Sequence, residues 1–90
     1  MKRSKFQTNV AILKTLANQD KVIPTHITYE TCLNHRCVNN SLSFLMDHNL
    51  VQEHNEKKRK KYSITDRGLK ALIVAKKIDT MLPIFNEFYS

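Results

Sequence analysis

Apolar residues along this chain recur first at helical spacing, then in alternation, then at helical spacing again. Over residues 5–17, Phe6, Val10, Leu13 and Ala17 fall at i, i+4, i+7 and i+11, with Ile12 and Leu16 widening the stripe. That spacing predicts an amphipathic helix, with Ser4 as its N-cap and the polar run Asn18-Gln19-Asp20-Lys21 as its exit. Val22-Ile23-Pro24-Thr25 reads as a short extended link, because proline disfavours helix in the residue before it. A short second helix then runs to Thr31, opened by Thr25 or by Ile23 with Pro24 at N1, with Ile27 as its central apolar contact and Tyr29 nearby. Cys32-Leu33-Asn34 is expected to turn tightly, Leu33 packing inward to set the angle to the next helix. Over residues 34–50, Val38, Leu42 and Leu45 form the next helical stripe, with Asn34 as N-cap.

The second half changes period. Leu50 to His54 can form a strand and Lys61 to Ile64 its return partner, Tyr62 and Ile64 alternating with polar neighbours. Residues 55–60 are expected to form the hairpin tip. Thr65 then caps a last helix, Asp66 lying at the positive end of its dipole, and Leu69, Leu72 and Ile73 are expected to face the core. Farther on, Ile78, Met81, Leu82, Phe85, Phe88 and Tyr89 make a second apolar stripe at spacings of three and four. At about 1.5 Å per residue this half lies too far along the helix to reach a core made by the preceding residues. A homodimer contact is the preferred account of an exposed stripe of that size; the alternative is a segment folded back on the first helix, with Pro83 kinking or breaking the last one. The elements together predict a mostly α, α+β chain. Three N-terminal helices lead into a β-hairpin and a long C-terminal helix, with a compact unit over 1–66 and a dimerisation element over 67–90.

Charge adds a partner to this picture. The 90 residues carry Lys+Arg 15 against Asp+Glu 8, a formal charge of +7, and a pI near 9.7, which favours a polyanion such as nucleic acid. A short helix, a turn and a longer amphipathic helix form a helix-turn-helix unit. The polar face of its second helix carries Arg36, Asn39, Asn40, Ser43 and Asp47, and Arg, Asn and Ser are side chains that fit base edges and phosphates in a major groove. Arg36, Asn39, Asn40 and Ser43 are the candidate base and phosphate contacts, with His35 at the groove mouth. Lys57, Lys58, Arg59, Lys60 and Lys61 are five consecutive basic residues placed to hold phosphates or enter the adjacent minor groove. Lys2, Arg3 and Lys5 are further candidate phosphate contacts. No apolar run approaches the roughly 18 residues that span a bilayer, and Gln7, Thr8, Asn9 and Lys14 interrupt any signal-peptide-like segment. A cytoplasmic, nucleoid-associated protein with reduced thiols is expected.

A family resemblance follows from these residues. Thr25-His26-Ile27-Thr28-Tyr29 with Leu33, Val38, Leu42, Phe44-Leu45 and Asn49-Leu50-Val51 resembles the core of small archaeal winged helix-turn-helix DNA-binding proteins. Tyr62-Ser63-Ile64-Thr65-Asp66-Arg67-Gly68, with Leu69 and Leu72, resembles their Y-x-I-T-x-x-G junction between wing and last helix. The resemblance covers most of residues 2–80. It implies dimers joined through the C-terminal helix that act as transcription regulators or chromatin proteins. Asn49 stands where that family usually has glycine, and Pro83 interrupts its long helix.

Other chemistries find less support. Cys32, His35 and Cys37, with His26, His48 and His54, do not give the doubled pairing of ligands a zinc site needs, and Cys37 beside Val38 is expected to be buried. With no glycine-rich phosphate loop, nucleophile elbow or paired carboxylates, neither catalysis, a cofactor nor a small-molecule substrate is expected. Aromatic residues are not interleaved with the basic run as RNA stacking platforms are. The expectation is therefore sequence-specific double-stranded DNA binding by a homodimeric transcription regulator, away from membranes. General chromatin architecture and a protein-docking winged helix are the alternatives.

Overall fold

Each of the first three helices starts for a reason visible in its cap. Ahead of α1 (Lys5–Ala17), Ser4 Oγ accepts from the Gln7 N–H at 3.1 Å while Gln7 Oε1 accepts from the Ser4 N–H at 3.0 Å, a reciprocal box that satisfies two otherwise unpaired donors. The computed structural model describes residues 4–89, with side chains described as far as Met81. In α2 (Pro24–Thr31) proline occupies the first turn, where its missing N–H costs nothing, and Ile23 is the extended N-cap. Cys32 ends that helix in the left-handed conformation, φ 57°. Asn34 Oδ1 then accepts from the Cys37 N–H at 2.8 Å to open α3 (His35–Asp47), and Leu33 packs against the core between the two helices.

The exit from α3 sets the rest of the chain. The Leu50 N–H donates to the Leu45 carbonyl at 2.9 Å and the Asn49 N–H to the Met46 carbonyl at 3.0 Å, with Asn49 at φ 60°. This is the paired bonding of a left-handed helix stop. Asparagine tolerates the left-handed conformation this stop requires. The chain continues into β1 (Val51–Glu56), which pairs antiparallel with β2 (Arg59–Ile64) from Val51↔Ile64 to Glu56↔Arg59. These strands run two residues farther than the expected 50–54 and 61–64. The six-residue tip thereby reduces to a two-residue turn, Lys57 and Lys58, both with positive φ (48° and 65°). Val22 extends this hairpin on its far side, exchanging two 2.8 Å backbone hydrogen bonds with Tyr62.

The core is the meeting of α1, α2 and α3 with the base of the hairpin. Ile12, Leu16, Ile27, Val38, Leu42 and Leu45 are fully buried, and Val10, Leu13, Val22, Val51, Tyr62 and Leu72 complete the cluster. Ala17, Leu69 and Ile73 were expected inside and are exposed. In α4 (Asp66–Tyr89) the inward stripe is Gly68, Leu72 and Ala75 rather than Leu69, Leu72 and Ile73, because the first turn of α4 is pressed against Leu50. Thr65 makes this contact: its hydroxyl donates to the Asn49 carbonyl at 2.7 Å and accepts from the Gly68 N–H at 3.0 Å, while its own N–H donates to the Leu50 carbonyl at 3.1 Å. The backbone of α4 passes Pro83 without a break. The side chains of Leu82, Phe85, Phe88 and Tyr89, and residues Lys2 and Arg3, lie outside the described residues.

A Cβ placed on Gly68 would lie 2.1 Å from the Leu50 carbonyl oxygen and 2.6 Å from Ile64 Cγ1. Backbone on one side leaves no room for relaxation. Gly68→Ala is expected to destabilise the domain by about 2–3 kcal/mol in urea unfolding followed by circular dichroism; unchanged stability would contradict this packing.

Candidate nucleic-acid interface

The outer face of α3 is polar and uncovered. Arg36, Asn40, Ser43 and Asp47 recur at i, i+4, i+7 and i+11, all exposed, on the side of the helix opposite Val38, Leu42 and Leu45. His35 and Asn39 are exposed on one flank of this row, and Cys37 and Phe44 on the other. Phe44 is 50% exposed and its ring centroid lies 4.5 Å from that of His48. Its position two residues from Leu42 turns it about 200° away from the core stripe. Asp47 places a negative charge at the C-terminal end of the row. Cys37 is likewise exposed, against expectation: one residue from Val38 along the helix is about 100° around it.

The basic run of the hairpin is divided by the pleat. Successive side chains of a strand point to opposite faces, and the register puts Lys60 with Tyr62 and Ile64 on the core-side face, Arg59 and Lys61 on the other. Lys60 Nζ lies 3.4 Å from Glu53 Oε1, and Lys61 Nζ 3.5 Å from Glu56 Oε2. Glu56 also pairs through its other oxygen with Lys21 in the α1–α2 link, a contact between residues far apart in sequence that no spacing rule anticipates. The Lys21 hydrogen bond, then its charge, holds the Glu56 carboxyl below the usual 4.5, and the same bond raises Lys21 above 10.5. Among the described residues no ion pair engages Lys57, Lys58 or Arg59. The free positive charge therefore gathers at the turn and the residue after it. Arg59 and Lys60 also line an open groove of about 410 Å³ against Ile23, Pro24 and Thr25 at the start of α2.

A helix-turn-helix whose second helix presents a polar face beside a basic hairpin is a winged-helix architecture, and the family model of the winged helix-turn-helix matches residues 2–82. The chain belongs to the winged helix-turn-helix family. The winged helix-turn-helix fold is shared by Sso10a-2, a DNA-binding protein from Sulfolobus solfataricus, with a TM-score of 0.77 at 24% identity over 97% of this chain and 86% of that one. The Zα domain of Carassius auratus PKZ, solved in complex with Z-DNA, superposes with a TM-score of 0.64 at 27% identity, covering 70% of this chain and all of its own. The transcriptional regulator BldR from Sulfolobus solfataricus gives a TM-score of 0.74 at 17% identity over 90% of this chain. The chain spans 58% of BldR's length and 50% of that of a Listeria innocua protein of unknown function with the same fold. No curated protein matches the chain in sequence.

In winged-helix terms, α3 is the recognition helix and the β1–β2 hairpin the wing. His35, Arg36, Asn39, Asn40 and Ser43 all lie exposed on that helix. The wing residues do not stand together as one cluster: Lys57, Lys58 and Arg59 are uncommitted, whereas Lys60 and Lys61 face acids. The histidines are dispersed, His26 bonding Gln19 at 2.8 Å and His54 bonding Ser63 at 2.7 Å. Among the described residues no His, Cys, Asp and Glu group is arranged to hold a metal, and no helix is long and apolar enough to cross a membrane.

The wing tip carries a measurable strain. Two-residue hairpin turns with positive φ at both positions favour Asn-Gly, and an L-residue with a Cβ is disfavoured there. Replacing Lys57-Lys58 by Asn-Gly is expected to stabilise the domain by about 1 kcal/mol, read as a Tm rise of about 4–8 °C. A lowered Tm would contradict the turn conformation.

Proposed function

We propose that this winged helix-turn-helix protein binds double-stranded DNA as a homodimeric transcription regulator. The recognition helix lies in the major groove with Arg36, Asn40 and Ser43 toward base edges and Asn39 and His35 at its margins. The wing meets the phosphates or the adjacent minor groove with Lys57, Lys58 and Arg59. The observation that carries the reading is the pairing of an uncovered polar face on α3 with uncommitted basic residues at the wing tip. Lysine at two left-handed positions supports it: charge stands at the tip where a neutral Asn-Gly turn would fold more easily.

Dimerisation is supported by α4. Val74, Ile78 and Met81 are 57%, 43% and 48% exposed. With Phe85 and Phe88 they continue in sequence at alternating spacings of four and three, the period of a coiled-coil seam. Ile78, Met81, Leu82, Phe85, Phe88 and Tyr89 are the proposed contact residues.

Three measurements test these statements. In fluorescence-anisotropy titrations of selected and random duplexes across a salt series, the Asn-Gly tip variant should bind all sequences more weakly, its salt slope flatter by roughly 2; an unchanged slope removes the wing from the interface. Arg36→Ala and Asn40→Ala should each cost about 1–3 kcal/mol of discrimination between a selected site and random DNA, whereas equal losses on both would argue against base reading. In sedimentation equilibrium the protein is expected to be a dimer and Ile78→Lys/Met81→Lys a monomer; a monomeric wild-type protein removes the dimer from the proposal.

A further inference from the structure

We propose that Glu53 and Glu56 are an internal brake on DNA affinity, holding Lys60, Lys61 and Lys21 out of phosphate contact and leaving the grip to Lys57, Lys58 and Arg59. This rests on the DNA-binding reading above and says which of the basic groups that reading employs. The acids occupy the strand facing the basic one. Glu53 pairs diagonally with Lys60 on one face of the wing, and Glu56 sits between Lys61 and Lys21 on the other, directly opposite Arg59 in the register. Two carboxylates offset two of the three positive charges, and transferring a lysine so held to a phosphate exchanges one ion pair for another. It therefore releases fewer counterions than a lysine drawn from water. Exposed ion pairs of this kind contribute little to stability; Lys60 is 66% exposed and Glu56 40%. Their arrangement has its consequence at a competing anion, not in the fold.

The physical effect is on the slope as well as the strength of binding. A wing that used residues 57–61 and Lys21 alike would add roughly 0.9 to the salt slope for each phosphate contact made. With Glu53 and Glu56 in place, the wing contributes only what its tip makes. The electrostatic term is common to all sites, so weakening it lowers affinity for every sequence alike and leaves the ratio between sites to the base contacts on α3. Glu53 and Glu56 thus set the overall affinity and the salt slope without touching DNA.

The test uses the full chain and a random duplex, titrated by fluorescence anisotropy from low to moderate potassium chloride. Glu53→Gln/Glu56→Gln should bind roughly tenfold tighter near 0.1 M salt, with a slope steeper by roughly 2–3. In a Lys21→Gln/Lys60→Gln/Lys61→Gln background the same two changes should produce no gain. A gain of equal size in both backgrounds would mean that net charge alone is responsible and would overturn the proposal, as would wild-type binding that the glutamines leave unaltered. If the double variant fails to fold, Glu53→Gln alone should steepen the slope by roughly 1 and Glu56→Gln by roughly 2; singles indistinguishable from wild type overturn it equally. Failure of wild type and variants alike to bind at low salt removes the DNA-binding reading and this inference with it.

Discussion

The close approach of the first turn of α4 to the end of α3 is the constraint on which the remaining geometry depends. Gly68 lies so near the Leu50 carbonyl that no side chain fits between them, and the only glycine of the chain is spent there. Thr65 ties the same place with three hydrogen bonds, to Asn49, Leu50 and Gly68. Four elements converge on it: the stop of α3, the first residue of β1, the last residue of β2 and the start of α4. The direction of the recognition helix and the root of the wing are therefore set by one contact, and the angle between them cannot change without opening it.

The second tether lies at the other edge of the wing. The two backbone bonds between Val22 and Tyr62 attach β2 to the link between α1 and α2, and Tyr62 is buried beneath them, its phenol pushed above the usual 10.0 first by burial and then by the Glu53 charge. A two-stranded hairpin alone is marginal in water. Backed by Val22 and rooted in the core through Val51 and Tyr62, this one can hold a strained turn at its tip. The rigidity of the root is what allows charge, rather than good turn chemistry, to occupy positions 57 and 58.

Much of this was legible in the chain. Ser4, Asn34 and Thr65 carry cap signatures that operate locally, and the stripes of α1 and α3 are strongly periodic, so the structure and the expectation agree there. Leu72 faces the core as expected, but Gly68 and Ala75 take the places expected of Leu69 and Ile73, because periodicity alone does not say which apolar positions meet the body; the tight contact of Gly68 with Leu50 decides it. Cys37 is exposed because helical angle, rather than residue type, decides which face a residue occupies. The tip is shorter than the expected residues 55–60, because a basic run resembles a loop in sequence whereas lysine and arginine are tolerated on a solvent-facing strand. The pairing of Lys21 with Glu56 had no local signal at all.

Counting charges from sequence consequently overstates what the wing presents. Five adjacent basic residues suggest one dense patch, but a strand alternates its side chains, and antiparallel pairing brings β1 alongside with glutamates at 53 and 56. Pleat and register together convert a run into three separate environments: an uncommitted tip, a core-side lysine paired with Glu53, and an outer cluster organised around Glu56. The formal charge of +7 is unchanged by this sorting. What changes is where the field is unopposed, and a polyanion approaching the wing meets the turn residues before it meets a lysine already held by a carboxylate. The field at the wing is then governed by the placement of its few acids as much as by the number of its bases.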